Sequence, residues 1–190
     1  MATTASAVIA PELIGTWDID GTHSNIEAIA RYAMVANVRG HFDTFSGGIT
    51  VGESLADSKV EVEIDAASIN TNNEMRDNHL RSEDFMWVEQ HPTITFVSTR
   101  VEPGDDEGQY RVWGDLTMRG VTREVNLDVS FEGYGRDAYG RERAGVEATT
   151  TLSRKDWGVN WNAALEAGGV LVGDKLKINL FISAVKRADA

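Results

Sequence analysis

The chain has no cysteine, and only three of its 190 residues are proline. Without thiols there is no disulfide, no thiolate zinc or iron–sulfur site and no thiol nucleophile. Positive charge is also scarce. Eighteen Lys and Arg stand against 30 Asp and Glu, a formal net charge of −12, and the basic residues are scattered. Phosphate-backbone binding works by counterion release around clustered cations, so nucleic acid is not an expected partner. No basic run resembles a polybasic membrane patch, and no apolar run is long enough to span a bilayer. No Lys or Arg precedes Arg31, so the start lacks the charged region of a secretory signal. A soluble, cytoplasmic protein with no integral membrane segment is the expectation.

Several chemistries lack their motifs. His23, His41, His79 and His91 are far apart without paired ligand spacing, so no metal site is expected. Gly47-Gly48 and Gly168-Gly169 have no phosphate-loop context and read as turns, the first as a bend or bulge. There is no Gly-x-Ser-x-Gly elbow.

What the chain does have is alternation. Val60, Val62 and Ile64 alternate with charged neighbours. Tyr110, Val112, Gly114, Leu116 and Met118 form another row, as do Val125, Leu127, Val129 and Phe131. The last row is Leu176, Ile178, Leu180 and Ile182, with Phe181 facing the other way. Trp17–Asp20 and Ile26–Ala30 open the series, Tyr32–Asn37 reads as a helical turn, and Arg119-Gly120 as a tight hairpin. About eight strands with short connections predict an all-β fold, an antiparallel barrel or sandwich. Residues 1–13, rich in Ala and Thr and broken by Pro11, read as a poorly ordered N-terminal arm. Residues 14–187 read as one domain.

One stretch breaks the pattern. Between Ser68 and Phe96, Asn72 or Asn73 can cap a short helix containing Met75 and Leu80, followed by Phe85, Met86 and Trp87, until Pro92 ends it. It reads as an amphipathic cover over something apolar. A second interruption, Arg154 to Gly173, reads as a compact polar–aromatic loop. An eight-stranded barrel is just wide enough to be filled by side chains or to hold one small ligand, and periodicity does not decide which. Gly114 and Thr150 in the inward rows point weakly to unfilled space.

The polar residues of these interruptions admit two readings. Arg76, Asp77, His79 and Asp84 have types suited to proton transfer, yet no nucleophile or oxyanion motif accompanies them. Salt-bridged anchoring of the cover is the commoner role for such a group. Arg154, Asp156, Asn162 and Glu166, bracketed by Trp157 and Trp161, would satisfy loop backbone or meet a polar head group.

Taken in order, these segments resemble the YceI-like family. Trp17-x-Ile19-Asp20-x-x-His23-Ser24 and Val38-x-Gly40-x-Phe42 are similar to its opening. Ser68-Ile69-x-Thr71, Arg76-Asp77-x-His79-Leu80-x-Ser82-x-Asp84-Phe85 and Pro92-x-Ile94-x-Phe96 resemble its middle. Gly114-x-Leu116-Thr117-x-x-Gly120-Val121-Thr122 and Arg154-x-Asp156-Trp157-Gly158-x-x-Trp161-Asn162 complete it, with Glu166, Gly168-Gly169 and Gly173-Asp174. The resemblance implies a lipocalin-like eight-stranded barrel, often dimeric, that binds a polyisoprenoid or similar long-chain lipid without catalysis. This chain departs from the family at Ala28 and Tyr32, where Phe and His are frequent, and at Met86-Trp87, where Phe-Asp is frequent.

With that resemblance, Phe42, Leu80, Phe85 and Phe96 become candidates for a tunnel wall, as do Leu116, Leu127, Trp157 and Trp161. Taken singly, each is more often plain core. A tail of about 40 carbons, at ~0.8 kcal/mol per methylene, carries on the order of 30 kcal/mol of gross transfer energy. That exceeds the practical affinity ceiling of about 18–21 kcal/mol. Tail burial alone therefore suffices for binding, and polar groups near Arg76, Asp156 and Asn162 need only orient a head. The expected function is binding, carrying or sequestering a polyprenyl lipid or isoprenoid quinone, with no other cofactor. The alternative is an enzyme acting on such a lipid through Asp77, His79 or Asp156. Phe181 and Val185 offer an outer face for a homodimer.

Overall fold

In the computed structural model of the protein, which describes residues 9–188, the alternating segments form eleven antiparallel strands. These are β1 (Gly15–Ile19), β2 (Asn25–Tyr32), β3 (Ala36–Phe42), β4 (Phe45–Val51), β5 (Lys59–Asp65), β6 (Ile69–Asn70), β7 (Thr93–Pro103), β8 (Gln109–Met118), β9 (Val121–Arg136), β10 (Glu142–Ser153) and β11 (Val172–Lys186). The ring runs β1–β4–β5–β7–β8–β9–β10–β11 and closes where β11 meets β1. This is the expected eight-stranded antiparallel barrel, and closure leaves those strands without a free edge.

The remaining three strands extend columns of the same ring. β11 pairs with β2 through Val172–Phe181 and with β1 through Ala184–Lys186. In the same way β3 and β4 lie along one column, and β5 and β6 along another. The residues at the β1–β2 break replace the lost ladder bonds. The Asp20 amide donates to Ser183 O at 2.9 Å. Ser24 Oγ accepts from the Ser183 amide at 2.9 Å and donates to Ser183 O at 3.2 Å. Arg143 then ties the break down, donating to Asp20 Oδ2 at 2.8 Å and to Asp137 Oδ2 at 2.9 Å. Asp20 is held well below the usual carboxylate range, to about 2, by the Arg143 bond and then by His23.

The two ends of the barrel differ. At one, the chain enters past a 3-10 turn, Pro11–Leu13, where Leu13 O accepts from Trp17 Nε1 at 2.8 Å. The part of the proposed N-terminal arm at residues 1–8 lies outside the described residues. At the other end lies α1 (Glu74–Arg81), capped by Asn73, whose Oδ1 accepts from the Arg76 amide at 2.9 Å. Arg154–Trp157 forms a 3-10 turn there, and the loop 158–171 follows.

Several local expectations need correction. Tyr32–Asn37 is not helical. It is the β2–β3 hairpin, turned at Ala33 and Met34, which both hold positive φ. Gly47-Gly48 is no bend but the middle of β4, where a Cβ on Gly47 would sit 2.3 Å from Glu61 O, so glycine permits close strand approach. β9 runs on to Arg136, past Phe131, the last residue of its inward row. Arg119-Gly120 is the expected two-residue hairpin turn, both residues with positive φ.

Candidate ligand cavity

The inward rows enclose a cavity of about 1030 Å³ that reaches both ends of the barrel. That is slightly above the roughly 300–1,000 Å³ usual for small-molecule sites. Small side chains explain why the middle is hollow. Ala28, Ala30, Ala144, Ala148 and Ala184 all face it, interleaved with Ile178, Leu180 and Ile182. Ala148 stands between Val129 and Leu180 in register, and Ala28 beside Ile178. Leu180 packs against the buried cluster of Ile26, Ile64, Ala66 and Ile94, and the open space lies beside the alanines. Ile178 and Ile182 stay only half-buried, because they face open space.

The β7–β8–β9 wall is more closely packed, although it too borders the cavity. Phe96, Val112, Val125 and Trp157 form one buried cluster, and Trp157 Nε1 donates to Leu116 O at 3.1 Å. Gly114 leaves no void. A Cβ there would lie 2.5 Å from the Phe96 ring, which already occupies the space. Thr150 does border the cavity.

Polar groups on the lining gather toward the ends. At the helix end are Arg31, Asn73, Arg76 and His79, and at the other Ser58, Lys59 and Glu107. Arg76 is oriented by Thr71, donating through Nε to Oγ1 at 2.7 Å and through Nη2 to the carbonyl at 2.8 Å. Asp77 is buried and aims at the same residue, accepting from the Thr71 amide at 2.9 Å and Oγ1 at 2.5 Å. His79 Nε2 lies 2.9 Å from Asp84 Oδ2, with its ring edge-on to Phe85 and Trp161 at 5.0 and 4.7 Å.

Of the expected site residues, Phe42, Leu80, Phe85, Phe96, Leu116, Leu127, Trp161 and Arg76 lie on the cavity wall. Trp157, Asp156 and Asn162 do not. Trp157 is spent on the filled cluster, and Asp156 is exposed, its carbonyl accepting from Arg123 Nε at 3.2 Å. Asn162 closes the loop on itself, bonding the carbonyl and amide of Val172 at 2.8 and 3.0 Å. Of the acid–base alternative, only His79 borders the cavity. Ala28, Tyr32 and Met86, three of the departures from the family pattern, line it; Trp87 does not.

Arg154 is the residue whose weight the sequence hid. It is buried, and its guanidinium donates to the carbonyls of Gly173, Val159 and Trp161 at 3.0, 2.8 and 2.9 Å. Burial pushes its pKa down, and Asp174 opposes that shift. It pins the loop that carries Trp161 over the helix end. Among the described residues, no group of three or more His, Asp or Glu is placed to hold a metal ion.

Comparison with known proteins agrees with this architecture. The YceI-like domain matches residues 17–184. A UPF0312 protein of Staphylococcus aureus is 39% identical over 160 residues, which is 83% of this chain and 90% of the relative. Among solved structures, a YceI protein of Campylobacter jejuni superposes with a TM-score of 0.69 at 27% identity, over 83% of this chain and 90% of that one. BcnA of Burkholderia cenocepacia superposes at 0.75, with 21% identity over 87% and 98% of the two chains. A polyisoprenoid binding domain of Saccharophagus degradans, implicated in plant cell wall breakdown, gives 0.69 at 14% identity over 90% and 98%. The last two likenesses bear on the fold alone.

Proposed function

The chain belongs to the YceI-like family, and from that premise we propose that its barrel binds a long-chain isoprenoid lipid, a polyprenyl lipid or an isoprenoid quinone, and carries or sequesters it. One observation carries the reading: the interior holds a mostly apolar cavity of about 1030 Å³ beside its packed clusters. Such a cavity offers a flexible hydrocarbon a dry sleeve, and gross burial energy of ~0.8 kcal/mol per methylene is ample for retention. The polyisoprenoid-binding domain of Saccharophagus degradans has the same fold, which supports the ligand class. Arg76 and His79 on α1 are the polar groups that orient a head at the helix end.

Binding without catalysis is the reading we favour. Asp77 is committed to Thr71, and Asp156 lies off the cavity. Native mass spectrometry and organic extraction of the purified protein test it, with a co-purifying isoprenoid expected. Repeated extraction yielding none, together with failure to take up added polyprenol, would sink the carrier. His79→Gln and Asp77→Asn are expected to leave bound lipid chemically unaltered. Lipid converted by the wild-type chain but not by either variant would turn the reading toward an enzyme.

No helix among the described residues is long and apolar enough to cross a membrane. We place the carrier in the cytoplasm, which cell fractionation tests. Phe181, exposed on the outer face of β11, supports a homodimer, which sedimentation analysis of wild type and Phe181→Glu tests.

A further inference from the structure

The surface around the helix-end mouth is unlike the rest of the exterior. The β2–β3 turn presents Tyr32, Met34 and Val35, α1 presents Met75, and the neighbouring loop presents Val170. Val35 is 79% exposed and Met75 84%, large apolar side chains left in water. Met75 stands in the first turn of α1, mostly in water.

The turn is built to stay there. Ala33 and Met34 hold φ of 47° and 66°, a region that non-glycine residues seldom occupy. The Ala33 amide donates to Leu171 O at 2.7 Å, and the Met34 side chain lies against Gly169. Tyr32 and Met75 also line the cavity, so the exposed rim and the interior form one continuous apolar surface.

Charge at this rim departs from the rest of the chain as well. Acidic residues number 30 in 190, yet none falls between Ala28 and Phe42, where Arg31, Arg39 and His41 lie. Arg31 bonds Met34 O and Asn37 Oδ1 rather than a carboxylate. Arg39 pairs with Glu27 behind the turn, and His41 with Asp43. Of the acids on the adjoining helix and loop, Glu74 and Glu166 are exposed and Asp77 is buried against Thr71, while Glu83 and Asp84 follow the helix, Asp84 against His79.

Apolar tips flanked by arginines and a tyrosine match the layered chemistry of a bilayer interface. Apolar groups enter the acyl boundary there, while Arg and Tyr stay among the headgroups. We propose that the helix end is a membrane-docking surface: the rim seats on a phospholipid bilayer with the channel mouth against it, and the tail passes between bilayer and barrel without crossing water. This rests on the carrier reading. A protein partner fits less well, because the apolar groups sit on three separate projections around an opening rather than on one closed face.

The test is flotation of the full-length chain with phosphatidylcholine vesicles containing a minor share of phosphatidylglycerol, with extractable lipid measured in parallel. Met34→Asn suits the positive φ, and Val35→Asp changes an exposed site off the cavity wall. The double variant is expected to keep its fold and bound lipid while vesicle binding falls by roughly tenfold or more, as two membrane-buried apolar groups are lost. Tyr139→Ser, 85% exposed at the opposite end, is expected to bind vesicles like wild type. Absence of wild-type flotation overturns the proposal, as does equal flotation of wild type and double variant. So does a wild-type dimer that never floats and becomes monomeric in the double variant. Finding no lipid in any of the proteins defeats the carrier reading, while wild type against double variant still decides the docking surface.

Discussion

Two sides of one barrel show the same alternation and different packing. On the β7–β8–β9 side, Phe96 fills the space above Gly114 and Trp157 seals the cluster from below. On the β10–β11–β2 side, Ala144, Ala148, Ala28 and Ala30 leave Ile178 and Ile182 facing open space. Period-two alternation tells which residues point inward. Whether the inside is solid depends on their size and on what reaches across from the other wall.

The comparison can be broken at several points. The largest effect is expected at Trp157→Ala, which opens a hole in the more closely packed side and should cost about 3–5 kcal/mol in chemical denaturation. Ile178→Ala in lipid-free protein should cost under about 2 kcal/mol, since the removed atoms already face open space. Equal losses would mean that the two sides do not differ.

Next comes Gly114→Ala, whose Cβ would also lie 2.7 Å from Val97 O. Overpacking there should cost about 1–3 kcal/mol, while Ala148→Val across the barrel should leave the thermal midpoint almost unchanged. Ala148→Phe sharpens the contrast by filling the channel. Folding stability should hold, but affinity for added polyprenol should fall at least about tenfold, or roughly 1.4 kcal/mol, in a fluorescence competition assay.

The smallest effect belongs to the β1–β2 break. Asp20 titrates at about 2 in the folded chain against an ordinary 3.8. Its contribution is therefore present in full above about pH 4 and lost as the pH falls toward 2. Asp20→Asn should lower the thermal midpoint near neutrality slightly and flatten its decline across that window.

Much of this architecture was legible, and for a physical reason. Val125, Leu127, Val129 and Phe131 alternate because one face of their strand is wet, and that signal survives in a single sequence. The broken columns were less legible. The residues at the first break, Asp20, His23 and Ser24, carry the family motif, but the bonds of Asp20 and Ser24 to Ser183 are non-local. Trp157 and Trp161 look alike in sequence, yet one plugs the wall and the other borders the channel, a difference decided by Arg154 pinning the loop between them and the last strand. The hollow itself had a readable trace in the inward alanines of β2 and β10. Gly114 pointed the wrong way, because a glycine can mark a neighbour's ring as well as a vacancy.

Apart from Thr150, the polar residues on the channel lining lie near its ends. A smooth hydrocarbon sleeve has no notch that a particular carbon must find, so a guest can slide along the axis and settle wherever its ends are best accommodated. Such a tube measures its occupant only by total length, and a mixed pool of homologous chains would be sorted by how many units fit between the two rims.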